Sequence, residues 1–176
     1  AFIPGDGEKR GPLYKGLPTL EDHRDQNPYM SAIQLRHCGI QSVFIGDPGC
    51  SQELMCKLVE YDQENVMELS YEGSGEIEGE YQLRPDPGRD VYRLLETRTN
   101  GDVPPSNTVE RPRGTITRDN NLYGRYKGEM QIVRNDLEKN PAVNTVGRIR
   151  DEDLDLLELL EPGQKIRLVR GTDLSL

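Results

Sequence analysis

The sequence contains no tryptophan, two phenylalanines and two histidines in 176 residues. Both phenylalanines, Phe2 and Phe44, come early, so tyrosine is the only large ring available to the rest of the chain. Cysteine is scarce too. Cys38, Cys50 and Cys56 form neither a C-x-x-C pair nor a Cys/His ligand set, which argues against a disulfide framework and a structural zinc and fits a reducing compartment. No apolar run approaches the roughly 20 residues that a membrane-spanning helix needs. Positive charge is in deficit, with 22 Lys and Arg against 31 Asp and Glu and a net charge of −9. Nucleic acid and anionic membrane are therefore poor partners, since each demands a basic footprint to displace counterions. Internal repeats and low-complexity stretches are absent.

What the chain does have is punctuation: eighteen glycines and twelve prolines break a lean 34% hydrophobic content into short elements. Ala1, Phe2 and Ile3 read as the tail of a strand that runs into Pro4-Gly5-Asp6-Gly7. The loop that follows, E-K-R-G-P-L-Y-K-G-L-P-T-L-E-D-H-R over residues 8–24, combines charges, turn formers and a helix start. Thr19 is expected to cap that helix, with Asp22 as the capping-box acid. The helix should occupy part of 20–38, broken near Asn27-Pro28 and stopped by Gly39. Residues 40–47 read as a strand buried on both faces of a parallel sheet. Pro48-Gly49-Cys50-Ser51 then turns into a second helix with Leu54 and Leu58 on its apolar side. Two parallel βα units cannot close a core of their own, so residues 1–62 are expected to be a truncated part of a larger α/β body. A first residue that is not Met, lying inside a strand, points the same way.

From 63 to 176 the texture is β. Met67, Leu69 and Tyr71 alternate with polar residues. Strands are expected near 91–97, 114–117, 126–133, 143–149 and 166–169, with charges on the outer face of the 126–133 strand. Pro85-Asp86-Pro87-Gly88 and residues 100–105 read as loops. Asp151-Glu152-Asp153 opens a helix with Leu154, Leu157 and Leu160 inward, ended by Pro162-Gly163. This region reads as an antiparallel barrel or sandwich.

Several of these segments, in order, resemble one family. R-G-P-L at 10–13, G-L-P-T-L-E-D-H-R at 16–24, F-I-G-D at 44–47, R-G-T-I-T at 113–117, G-R-Y-K-G-E-M-Q-I at 124–132 and V-N-T-V-G at 143–147 are similar to the intracellular 6-phospho-N-acetylmuramidase family of glycoside hydrolases. The resemblance implies that residues 1–62 are the last two βα units of an eight-stranded TIM-type (β/α) barrel. It implies that 63–176 form a mainly β, cyclophilin-like closed barrel. It also implies cytoplasmic hydrolysis of the bond after a 6-phosphorylated N-acetylmuramic acid in cell-wall recycling, with a small phosphorylated amino sugar as partner and no cofactor or metal.

Candidate site residues follow from residue chemistry placed on that frame. Barrel sites lie at the carboxyl ends of strands, and phosphate often sits on the last two loops. Arg10 and Gly11 in the first loop, with N–H groups near Ser51 and Gln52, are expected to hold the sugar phosphate or the lactyl carboxylate. Glycoside hydrolysis calls for two carboxyl groups about 5–9 Å apart. Asp47 is the candidate catalytic carboxylate of this chain, and the principal ones are expected upstream of Ala1. Glu21 is either a substrate contact or a helix-end charge, and His23 either a sugar contact or a structural residue. Arg125, Tyr126 and Glu129, with Asn120, Asn144 and Arg113, either bond sugar hydroxyls and the acetamido group or form a cross-strand salt bridge and turn chemistry. The alternative is a non-catalytic phosphosugar- or peptide-binding module. A prolyl isomerase is disfavoured, because the β region lacks Trp, Phe and His.

Overall fold

The computed structural model describes residues 1–86 and 88–171; Pro87 of the expected 85–88 turn and residues 172–176 lie outside the described residues. The chain divides into two compact units, Ala1–Asn65 and a second that starts at Val66.

The first unit runs β1 (Phe2–Ile3), α1 (Pro28–His37), β2 (Phe44–Ile45), α2 (Gln52–Glu64). The two strands pair in parallel, Phe2 with Phe44 and Ile3 with Ile45. Asn27 accepts the Tyr29 N–H at 2.9 Å and Pro28 begins α1, so the break near Asn27-Pro28 is the start of the helix. Gly39, at φ 82°, ends it. The Ser51 hydroxyl accepts the Leu54 N–H at 3.0 Å to cap α2, and Asn65 in the left-handed region closes it. Ile3, Ala32 and Leu35 form the core, with Val43, Ile45 and Leu58 against it.

Two expectations are corrected here. Thr19 does not cap a helix: its hydroxyl accepts the Phe2 N–H at 2.6 Å, and the 3₁₀ turn Glu21–Arg24 starts without a side-chain cap. Nor is the strand over 40–47 buried on both faces. Only Phe44–Ile45 pair, and Phe44 is 57% exposed beside an exposed Phe2, ring centroids 5.8 Å apart. Alternation sends Ile3 into the core and the two Phe side chains to the opposite face of the pair.

Among its described residues the second unit contains seven strands: β3 (Val66–Gly73), β4 (Gly79–Gln82), β5 (Val91–Arg93), β6 (Thr115–Asp119), β7 (Met130–Val133), β8 (Val143–Ile149) and β9 (Lys165–Arg170). They make one sheet in the order β4-β9-β3-β8-β6-β7-β5. The sheet is mixed rather than purely antiparallel, because β9 lies parallel to β3 while every other pair is antiparallel. The return across β3 is made by the 3₁₀ segment Asp151–Leu159, which buries Leu156 and Leu157 and is tied to the sheet by the Ser70 N–H donating to Asp153 at 2.7 Å. Leu160 is buried with them, whereas Leu154 is only half-buried.

The sheet is curled. Residues that follow its two outer strands meet at an antiparallel bridge, Leu83 with Leu94, flanked by Arg84 N–H to the Arg93 carbonyl at 2.9 Å and Leu95 N–H to the Gln82 carbonyl at 2.8 Å. Met67, Leu69, Tyr71, Ile116, Ile132, Ile149, Ile166 and Leu168 are fully buried and form its core. Gly73, at φ 145°, faces Gly147 across the β3–β8 ladder, and a Cβ on it would come within 2.5 Å of the Gly147 Cα.

Candidate functional site

In the first unit Asp47, just beyond β2, organises the long loop that leaves β1. One carboxylate oxygen accepts the Gly5 N–H at 3.0 Å and the other the Arg10 N–H at 2.9 Å, with the Lys9 ammonium 4.0 Å away. Burial pushes this carboxyl up, but the N–H groups of Arg10 and Gly5 and the Lys9 charge outweigh it, and Asp47 lies below the usual carboxylate range. It is an ionised acceptor. The loop packs tightly: a Cβ on Gly5 would meet the Gly49 carbonyl at 1.9 Å, so glycine is required there.

The anion seat expected at the start of α2 is already filled. Asp6 accepts the Ser51 N–H at 2.7 Å and also the Ser51 hydroxyl. This is the helix-end preference for negative charge met by the chain's own carboxylate. Arg10 projects an exposed side chain, and Gly11 is exposed beside it. Glu21 grips Arg24 with both oxygens, at 2.6 and 2.8 Å, and Arg24 donates in turn to the carbonyls of Lys15 and Gly16. His23 is buried against Gln34 at 3.0 Å, a structural position. A cavity of about 500 Å³ lies in the same unit, lined by Ile3, Val43, Phe44, Leu58 and Val59 among others, and neither Asp47 nor Arg10 borders it.

Asp47→Ala should leave the Gly5 and Arg10 N–H groups without their acceptor and loosen the loop locally. Hydrogen exchange at those two amides is expected to accelerate about tenfold or more. Unchanged protection would remove Asp47 as the organiser.

In the second unit three guanidinium groups gather on the Tyr126 ring, with Arg98 at 4.6 Å, Arg125 at 4.9 Å and Arg93 at 5.9 Å from its centroid. Arg125 also donates to the Tyr126 hydroxyl at 2.8 Å, and Tyr123 meets the ring edge-on. Beneath them Glu129, 2% exposed, accepts from the Nε of Arg93 and the Nε of Arg98, both at 2.6 Å. Burial pushes Glu129 up, and the two arginines more than reverse it.

Asp119, 1% exposed, shares this environment: its N–H donates to the Glu129 carbonyl at 2.9 Å, and one side-chain oxygen has no partner among the described residues. Burial first, and then the Glu129 charge, push it up to about 7 despite Arg93, Arg111 and Arg98. Strand register explains the gathering. Arg93, Gln131 and Thr117 lie abreast across β5, β7 and β6, and Glu129 and Asp119 fall two residues along on the same face.

One sequence expectation fails here. Residues 126–129 are not strand, and Arg125 lies in the 3₁₀ turn Asn121–Tyr126 instead of sharing a strand face with Glu129. Gly124 at φ 59° and Gly128 at φ 85° break the alternation, and Glu129 is buried under arginines rather than exposed to solvent. Glu129 does form ion pairs, with Arg93 of β5 and with Arg98 beyond it, but from just outside β7 rather than across two strands.

Residues 1–60 match the family model described as 6-phospho-N-acetylmuramidase, N-terminal, and residues 60–169 match its C-terminal counterpart. The chain belongs to the 6-phospho-N-acetylmuramidase family. Among solved structures it is similar to a conserved Enterococcus faecalis protein of unknown function, at 40% identity and TM-score 0.83 over 96% of this chain and 48% of that one. It is also similar to an uncharacterized B. cereus protein, at 29% identity and TM-score 0.78 over 96% of this chain and 52% of that one. The chain thus spans about half the length of these two structures. No curated protein matches it.

Within this muramidase-family chain the remaining candidates make bonds inside the second unit. Asn120 and Asn144 are buried and bonded to each other at 2.8 Å; they also hold Pro141, Ser106 and Pro104 through their backbone groups. Arg113 donates to the Leu154 carbonyl and pairs with Asp155 and Glu158 on the 3₁₀ segment. Sequence reading missed Arg93, Arg98 and Asp119, because their meeting depends on strand register. Among the described residues no group of three or more His, Cys, Asp or Glu is placed to hold a metal ion, and no helix is long and apolar enough to cross a membrane.

Proposed function

We propose that the protein to which this sequence belongs is a glycoside hydrolase that cleaves the bond after a 6-phosphorylated N-acetylmuramic acid, in the cytoplasm, during recovery of cell-wall fragments. The observation that carries this reading is the match to both halves of the family over residues 1–169. The parallel pairing of Phe2–Ile3 with Phe44–Ile45, each strand leading on to a helix, supports residues 1–62 as the last two βα units of a (β/α)₈ barrel. The Leu83–Leu94 bridge between the ends of the sheet supports residues 63–176 as a cyclophilin-like closed barrel. Asp47, Arg10 and Gly11 then stand at the carboxyl ends of the barrel strands, where such enzymes build their sites.

In this reading Asp47 shapes the loop. A carboxyl held below the ordinary range by two N–H donors does not suit a proton donor, which needs a raised pKa. Arg10 offers its guanidinium to an anionic group of the sugar, and Glu21 fixes the far end of the loop through Arg24. In the second unit Glu129 holds Arg93 and Arg98, and Asn120, Asn144 and Arg113 hold the surrounding loops. No cofactor enters this chemistry.

The test is hydrolysis of a 6-phosphorylated muramic acid glycoside, by this chain and by the same chain with the upstream half of its relatives joined to it. Turnover by the longer protein, absent for the unphosphorylated glycoside, is expected. If the longer protein binds the phosphosugar without cleaving it, the binding-module alternative replaces this reading.

A further inference from the structure

The arginines of the second unit run against the charge of the molecule. In a chain of net charge −9, Arg93, Arg98 and Arg125 all lie within 6 Å of the centroid of one tyrosine ring. The carboxylate beneath them, Glu129, neutralises one of the three. Asp86, 3.9 Å from Arg93, is already held by Arg84 at 2.8 Å. The donors are not used up either. Arg98 spends its Nε and Nη2 on Glu129, and Arg125 gives one Nη2 hydrogen bond to Tyr126. The Nη1 groups of both residues have no partner among the described residues, and both side chains are exposed. The Tyr126 ring and the Glu129 carboxylate hold the guanidiniums together while leaving these Nη1 donors for an oxyanion.

We propose that the Arg93–Arg98–Arg125 patch around Tyr126 is an anion-binding site that takes the phosphate monoester of an amino sugar. Three guanidiniums against the Glu129 carboxylate and an Asp119 that is only partly ionised near neutral pH leave a net positive charge, which suits the charge of about −1.5 to −2 on a phosphate monoester. Arg93, with its Nε on Glu129 and its other end toward Asp86, acts through the other two as a positioning residue. The muramidase reading supplies only the identity of the sugar; the anion site stands on the geometry of this unit alone.

Calorimetric titration of the full chain tests it, with three probes: N-acetylmuramic acid 6-phosphate, unphosphorylated N-acetylmuramic acid, and inorganic phosphate. The phosphorylated sugar should bind tightest and weaken as salt is raised. Arg125→Gln, on an exposed turn where folding is not at stake, should weaken it about tenfold, and Arg98→Gln at least as much. Unphosphorylated sugar should bind weakly and show no change in either variant. Equal affinity for the two sugars, phosphorylated-sugar binding unaltered by Arg125→Gln, or binding of inorganic phosphate alone would each overturn the proposal. The two readings fail separately. A tenfold loss in Arg125→Gln with no glycoside cleavage by the longer protein keeps the anion site and removes the hydrolase. Cleavage with unaltered binding in the variant does the opposite.

Discussion

Replacing Asp119 by asparagine should stabilise the protein at pH 8 relative to the parent, and the gain should vanish toward pH 4. Asp119 is 1% exposed and pushed up from 3.8 to about 7 by burial and the nearby Glu129 charge. Between those two values the folded protein holds a proton that the unfolded chain has lost, so this group makes stability fall as pH rises through the window. Above about 7 the carboxyl is ionised in both states and the full penalty is present. The span corresponds to about 4 kcal/mol as an upper limit, which water entry and local relaxation will reduce. Asparagine cannot ionise and carries no such slope. Urea unfolding of parent and variant at pH 4, 6 and 8 measures it. A difference between them that does not change with pH would mean that Asp119 is ionised in the fold throughout.

Glu129→Gln should act in the opposite direction and cost about 2–4 kcal/mol at neutral pH. The usual cost of removing one partner from a buried ion pair is discounted here, because both arginines are partly exposed. Glu129 is buried, yet it holds the Nε of Arg93 and of Arg98, so the amide leaves two guanidiniums without their counter-ion. Removing its charge also relieves Asp119, which should then titrate lower, beside two arginines that have lost their carboxylate. The two substitutions are therefore coupled: the effect of Asp119→Asn at pH 8 should shrink in the Glu129→Gln background. Strict additivity in a double-mutant cycle would show that the two carboxyls do not sense each other.

Local rules carried the first unit well in some places and poorly in others. Asn27-Pro28, Gly39 and Ser51 announce helix ends through chemistry that acts within a few residues, and all three stand where helices begin or stop. Thr19 looks like a cap by the same rules. It was instead drawn to the Phe2 N–H, a partner seventeen residues away that no local pattern reveals. The β strands of the second unit were legible from alternation at Val66–Gly73 and Val143–Ile149. The alternation continued on paper through residues 126–129, where two glycines at positive φ had already ended it.

The site shows the same division. Asp47 is visible as an acid directly after an apolar run, but its partners Gly5 and Arg10 are contacts across β1 and β2. Tyr126 and Glu129 stand out in sequence as part of a dense polar motif. Arg93, far earlier in the chain, reaches them through the register of β5 against β7, and Arg98 through the turn that follows β5. The seat at the start of α2 shows the converse failure. A helix amino end attracts anions as a rule, and the sequence already held Asp6 to satisfy it.

The parallel seam between β3 and β9 has a consequence for biosynthesis. Val66, the first strand residue of the second unit, pairs with Lys165, and β9 is also the ladder partner of β4. Until the ribosome has released that last strand, β3 presents one bare edge and β4 has no ladder neighbour among the described strands. The unit therefore completes itself only once β9 has emerged, with the loop-closure cost of joining Val66 to Lys165 falling late. An interruption of translation short of Lys165 would leave an open edge available to other nascent chains.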